Sequence, residues 1–166
     1  MELVAEMSEA ELFDAGDYWS LPVEDCTVAR VSFDWAISLV IGSPDTSFEV
    51  RIEEHIRMAA MDGAGLTIDP EGDAQQLAPI LSLLHQEVRY LHALKTGDLQ
   101  ICLEGGTSLH VSASDDYEPW EITGPQEVRI VSTPGGSLAT WGIPPARAGH
   151  EDKGRQGDGR PVSESP

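Results

Sequence analysis

From Thr27 to Trp141 this chain is written mostly in period two, and that constrains its fold more than any other feature. "FEVRIEEHIRM" sets Phe48, Val50 and Ile52 on one face against Glu49, Arg51 and Glu53 on the other. "TVARVSF" alternates Val28, Arg30 and Ser32 with Ala29, Val31 and Phe33, and "DW" turns it into "AISLVIG". Alternation of this kind marks strands with one buried face, and these three segments predict an antiparallel meander. Six further segments read as strands: "VRYLHAL", "LQICLE", "TSLHVSA", "PWEITG", "VRIVST" and "SLATW". Turn residues separate them, in "KTGD", "EGGT", "PQE" and "TPGG".

Helical spacing is clear in one place. "DAQQLAPILSLLHQ" carries Leu77, Ile80, Leu81 and Leu84 at intervals of three and four, with Asp73 placed to cap the N-terminus. Pro79 lies inside, so the helix must begin near Ala78 or accept a kink. The Gly- and Asp-rich "MDGAGLTIDPEGDA" before it reads as a connection. Strands, one helix and strands again give an α+β fold. The expectation is a mostly antiparallel sheet of about eight strands, curved or a partial barrel, with one main helix packed across its apolar face.

The ends differ from this body. Residues 1–26 read as an acidic arm or short helix, with Leu3, Val4, Met7 and Leu12 on one side and a capping box at Ser8–Glu11. Residues 27–142 form the globular α+β domain. Residues 143–166, rich in Pro, Gly and charge without apolar periodicity, read as a disordered tail. The first residues lack the basic start and apolar run of a secretory signal, and no run of about 18 apolar residues offers a membrane span. A cytoplasmic location is expected. Cys26 and Cys102 stand far apart with no CxxC spacing and read as free thiols.

Charge narrows the partners. The net charge is −19, from 29 acids and 10 bases, and residues 144–166 contribute none of the excess. Residues 1–25 alone hold eight acids and no base. Such a surface repels phosphate backbones and anionic lipid, which argues against nucleic acid and membrane and for a basic protein partner. Solubility alone is the competing explanation of the same acidity.

Candidate chemistry concentrates in "DDYEPWEITGP". Asp115, Asp116, Glu118 and Glu121 surround Tyr117 and Trp120, as a carboxylate pair or cation site over an aromatic floor would. The same letters also describe a turn, an extended lead-in fixed by Pro119 and a strand that buries Trp120 with Ile122 while Glu121 faces out. On that reading Tyr117 and Trp120 are an anchor that ties an exposed acidic loop to the core; a further reading makes Asp115, Asp116, Tyr117, Glu118, Trp120 and Glu121 a protein-contact surface. His92 and His110 lie mid-strand and are the alternative metal or ligand candidates, although the spacing 85, 92, 110 matches no zinc signature. No nucleophile elbow, phosphate loop or calcium loop is present, so no catalytic residue, metal or cofactor is expected.

The segments "LAPILSLLHQEV", "KTGDLQICLEGGTSLHVSASDDYEPWEITGP" and "STPGGSLATW", with "DWAISLVIG" and "SFEVRIEE" upstream, resemble a family of small acidic bacterial proteins built around a domain of unknown function. The family pattern is a Leu-Leu-His helix end, a Tyr-Glu-x-Trp-Glu segment and a closing Pro-Gly-Gly-x-Leu-Ala-x-Trp. The resemblance spans roughly residues 27–141 and departs at "EGG" and at Pro119, the second of which stiffens the loop. It implies no activity, cofactor or catalytic residue. In size, acidity and α+β texture the family is similar to immunity-type proteins of bacterial toxin systems. The expected function is a non-enzymatic domain that binds a protein, such as a basic toxin it neutralises. The alternatives are a small-ligand or metal-binding protein using the sheet face, or a purely structural domain.

Overall fold

A computed structural model describes residues 11–143. The helical reading of residues 1–10 and the tail reading of residues 144–166 fall outside the described residues. Thirteen strands and one helix follow in order: β1 Phe13–Asp14, β2 Tyr18–Ser20, β3 Thr27–Phe33, β4 Ile37–Gly42, β5 Ser47–Ile52, β6 Ile56–Ala59, β7 Gly65–Ile68, α1 Ala74–Leu81, β8 Val88–Leu94, β9 Leu99–Leu103, β10 Ser108–Val111, β11 Trp120–Thr123, β12 Arg129–Thr133 and β13 Ser137–Trp141. They form two open antiparallel sheets. Sheet A runs β1-β2-β8-β9-β10-β6-β7, and sheet B runs β13-β12-β11-β5-β4-β3.

The expected β3-β4-β5 meander is present, one face buried through Ile37, Leu39, Ile41, Phe48, Val50 and Ile52. The expectation of one sheet of about eight strands is too simple. Leu91, Leu99, Ile101 and Leu109 of sheet A share one core cluster with those residues of sheet B. Neither sheet closes into a barrel. Period two reports that a strand has a buried face and is silent on which sheet carries it. "FEVRIEEHIRM" shows the consequence: it breaks at Glu53-Glu54-His55, leaving β5 in sheet B and β6 in sheet A.

Three more expectations are corrected. The "connection" after Met61 contains β7, an edge strand paired with β6 through Met58↔Leu66 and Ile56↔Ile68. The helix is shorter than its sequence pattern suggests, two turns long, and it buries Ile80 in the core cluster, with Leu83 following just beyond its end. Asp73 caps it in a reciprocal box with Gln76, as its N-cap position predicts. Folded structure also begins before residue 27. Strands β1 and β2 extend sheet A onto β8, and Leu21, Val23 and Cys26 are buried. Lys95 pins this hairpin, with its ammonium 2.7 Å from Asp14 and 5.3 Å from the centre of the Trp19 ring. Strands of two and three residues are too short to show a period, so the acidic text concealed them.

The chain passes between sheets three times, at residues 21–26, 53–55 and 112–119. The last two passages lie side by side. The second of these, 112–119, meets the turn between β8 and β9 around Gly97, whose carbonyl accepts the Trp120 indole N–H at 2.9 Å and the Ser132 hydroxyl at 2.7 Å. Gly97 has φ +92°, and a Cβ there would come within 2.9 Å of both the Ala113 methyl and the Gly136 Cα. The site therefore excludes a side chain on two grounds. Gly97→Ala is expected to lower the unfolding free energy by about 2 kcal/mol or more, and Trp120→Ala by about 3–5 kcal/mol. Urea denaturation measures both; a loss below ~1 kcal/mol in either would show that the ends of the sheets are joined elsewhere.

Candidate functional site

The pairing registers put Phe33, Ile37, Ile52 and Trp120 in one row across sheet B. Beyond that row, at one end of the sheet, lie the turn Asp34–Ala36, the passage 53–55 and the loop 112–119. The stretch "DDYEPW" is thus the passage from β10 in sheet A to β11 in sheet B. It is tied at both feet. The Ala113 amide donates to Asp98 Oδ1 at 2.8 Å, and the Gly135 amide donates to the Ser114 carbonyl at 2.9 Å. At the other foot the Glu53 amide donates to the Pro119 carbonyl at 2.9 Å, and the Tyr117 hydroxyl donates to the Glu54 carboxylate.

The two aromatics of this stretch have different fates. Trp120 is 1% exposed and belongs to the core, as the alternation predicts. Tyr117 is 43% exposed, held upright by Glu54, with Asp115, Asp116 and Glu118 exposed around it. Glu121 belongs to β11 and not to the loop: it lies on the outer face of sheet B, where it accepts two hydrogen bonds from Arg129 at 3.0 and 3.2 Å. Arg129 in turn stacks over Trp141, 5.1 Å from the ring centre. Arg51, Glu53, Glu118, Trp120, Glu121 and Arg129 line a hollow of about 130 Å³, too small for a drug-sized ligand.

His92 and His110 share the outer face of sheet A but do not meet. Both are registered against Gln100, one on either side, which separates their strands by about 10 Å. His92 is sandwiched between Tyr18 and Tyr90, with ring centres 4.1 and 4.2 Å away, and its burial lowers its pKa. His110 accepts from the Arg57 guanidinium at Nδ1 (2.6 Å), so Nε2 carries the proton and donates to Asp98 at 3.1 Å. Neither ring joins the acids of residues 115–121. Among the described residues no group of three or more His, Cys, Asp or Glu side chains could hold a metal. Cys26 and Cys102 are free, and burial raises the pKa of Cys26.

Two features of the acidic end escaped the sequence. The first is the Glu54–His55 pair. Burial works to raise the pKa of Glu54, but hydrogen bonds from Tyr117 and from the His55 amide and ring outweigh it and hold the carboxyl below its usual range. The bond to Glu54 raises His55, which also faces Asp69 at 3.7 Å, and the bond to the same carboxylate pushes Tyr117 up to about 12. His55 and Asp69 border an open cleft of about 480 Å³ between β7 and α1. Two adjacent acids interrupting an alternating run were the available signal.

The second feature is Trp35, at the centre of the turn Asp34–Ala36. It has φ +68° and is 78% exposed. Asp34 donates its amide to the Ala36 carbonyl at 3.1 Å, and its carboxylate accepts from Arg51 at 2.9 and 3.1 Å. With Ala36 fully buried, both flanks of the turn are fixed and the indole projects outward. A bulky residue in the left-handed region costs about 1–2 kcal/mol, and a ring this exposed recovers little of that by burial. A turn written "FDWA", with no Gly or Asn where one would fit, was the signal.

A family model matches residues 19–142, well over half of the 166 residues. The chain belongs to the family of unknown function DUF6188. The match begins inside β2 and ends just past β13, so it takes in sheet B, the helix, the acidic end and all of sheet A except β1 and the first residue of β2. Comparison with curated proteins and with solved structures finds no match. No helix among the described residues is long and apolar enough to cross a membrane.

The titrations of this end have a definite sign. A raised His55 stabilises the fold below the ordinary histidine value of 6.5, and that contribution is lost as pH rises through its raised pKa. A lowered Glu54 stabilises above the ordinary 4.5 and ceases to as pH falls through its lowered pKa. Glu54→Gln should bring the Tyr117 pKa down from about 12 toward 10, read by tyrosinate absorbance against Tyr117→Phe. It should also lower the His55 pKa, read by NMR. Unchanged titrations would mean that the Tyr117–Glu54–His55 chain does not form in solution.

Proposed function

We propose that this protein is a non-enzymatic binding domain for a basic protein, and that the acidic end of sheet B is its contact surface. The observation that carries the reading is Tyr117. An aromatic ring is held half-exposed by a carboxylate, on a loop fixed at both feet, among exposed acids. Preordered aromatic side chains make contact area at small entropic cost, and Tyr and Trp are enriched among residues that dominate binding energy. Asp115, Asp116 and Glu118 supply a negative potential, which speeds encounter with a cationic partner and selects against anionic ones. Trp120 acts from behind, as the anchor that sets the height of the loop. Neutralising a basic toxin, as immunity-type proteins do, is a form of binding that suits this charge.

A triple variant, Asp115→Asn, Asp116→Asn and Glu118→Gln, tests the reading. The wild-type chain, used as bait in extract of its native source at low ionic strength, should retain a basic protein that high salt releases. The triple variant should retain much less of it at unchanged thermal stability. Recovery of no basic protein, or equal recovery by bait and variant, would sink the proposal.

A further inference from the structure

Four tryptophans lie in the described chain, and three have evident occupations. Trp120 is buried and bonded to the Gly97 carbonyl. Trp19 has the Lys95 ammonium over its ring at 5.3 Å, and Trp141 has the Arg129 guanidinium at 5.1 Å. No cation of the described residues sits over Trp35, the most exposed of the four. We infer that Trp35 is an anchor for the partner, taking an arginine or lysine side chain against its indole face as the other two surface tryptophans take one from their own sheet. This rests on the reading of the acidic end as a contact surface and names the chemistry it recognises.

Three observations converge on it. The backbone is strained at Trp35 in a way a glycine would relieve, so the turn itself gives no reason for an indole. The turn is clamped by Arg51 and by buried Ala36, so the ring is presented in a fixed place. Its surroundings favour a cation. Glu53 and Glu54 follow the neighbouring strand β5, Glu118 lies one strand further, and the nearby base, Arg51, is already paired with Asp34 and Glu53. An exposed indole at an end of the sheet that also carries carboxylates can receive an ammonium or guanidinium group.

The experiment uses the full chain, a short oligoarginine peptide and its uncharged citrulline counterpart. Trp35→Gly removes the ring, leaves the net charge unchanged and suits the left-handed backbone; Trp35→Asn serves as the second such variant. Both should hold or raise Tm. Both should weaken oligoarginine binding at physiological ionic strength by roughly three- to tenfold. The indole N–H resonance of Trp35, assigned by its loss in Trp35→Gly, should shift with oligoarginine and stay still with the citrulline peptide. Salt-sensitive binding that leaves this resonance and the variants' affinity unmoved overturns the inference while leaving the acidic surface standing. Absence of any salt-sensitive binding by the wild type defeats the acidic surface and, with it, the anchor. A fall in Tm in both variants would make the ring structural, and a resonance that moves with protein concentration alone would assign it to a second copy. Either result overturns the inference.

Discussion

The carbonyl of Gly97 holds this molecule together at one end. It belongs to a turn of sheet A, yet both of its side-chain donors, Trp120 and Ser132, belong to sheet B. A buried carbonyl can accept two bonds, one on each lone pair, and a glycine must supply it because the approach of Ala113 and Gly136 leaves no room for a Cβ. The arrangement satisfies the polar N–H of the largest core residue without admitting water. Among the described residues no buried side-chain nitrogen or oxygen lacks a partner. Because Trp120 is fixed in this way, Pro119 and Tyr117 are fixed next to it. The acidic end inherits its order from a contact made in the core.

That dependence relates the two halves of the site. The carboxylates of the loop are dispensable to folding, since Asp115, Asp116 and Glu118 project into solvent. Their placement is determined by residues with no access to a partner. Trp35 inverts the relation: it gives almost nothing to the core and its backbone opposes the fold. Strain kept at an exposed position is intelligible where the exposed group is used.

Much of the fold was legible in the sequence. The limits of β8 and β13, the Asp73 cap and the burial of Trp120 follow from period, turn chemistry and capping alone. What was not legible is which sheet a strand joins, because alternation is a local property and sheet membership is set by distant pairings such as β5 with β11. A bulge hid in the same way: the register shift between Val28 and Arg30 breaks the strict alternation expected of β3. In the candidate site, Tyr117 and its acids were visible as a cluster of types. Glu54 was not, because its contact with Tyr117 spans two sheet crossings. Trp35 sits at the turn between two alternating strands, and a turn carries no period that would single out its side chain.

The side-by-side crossings also bear on how the chain is made. Strand β5 finds its second neighbour, β11, only after β6 to β10, all strands of the other sheet, have been synthesised. Until then the meander β3-β4-β5 has an open edge and an uncovered apolar face, the condition in which partly finished chains pair with one another. Glu49, Arg51 and Glu53 put charges of both signs along the outer face of that edge, and Arg51 meets its cross-strand neighbour Glu121 only when β11 arrives.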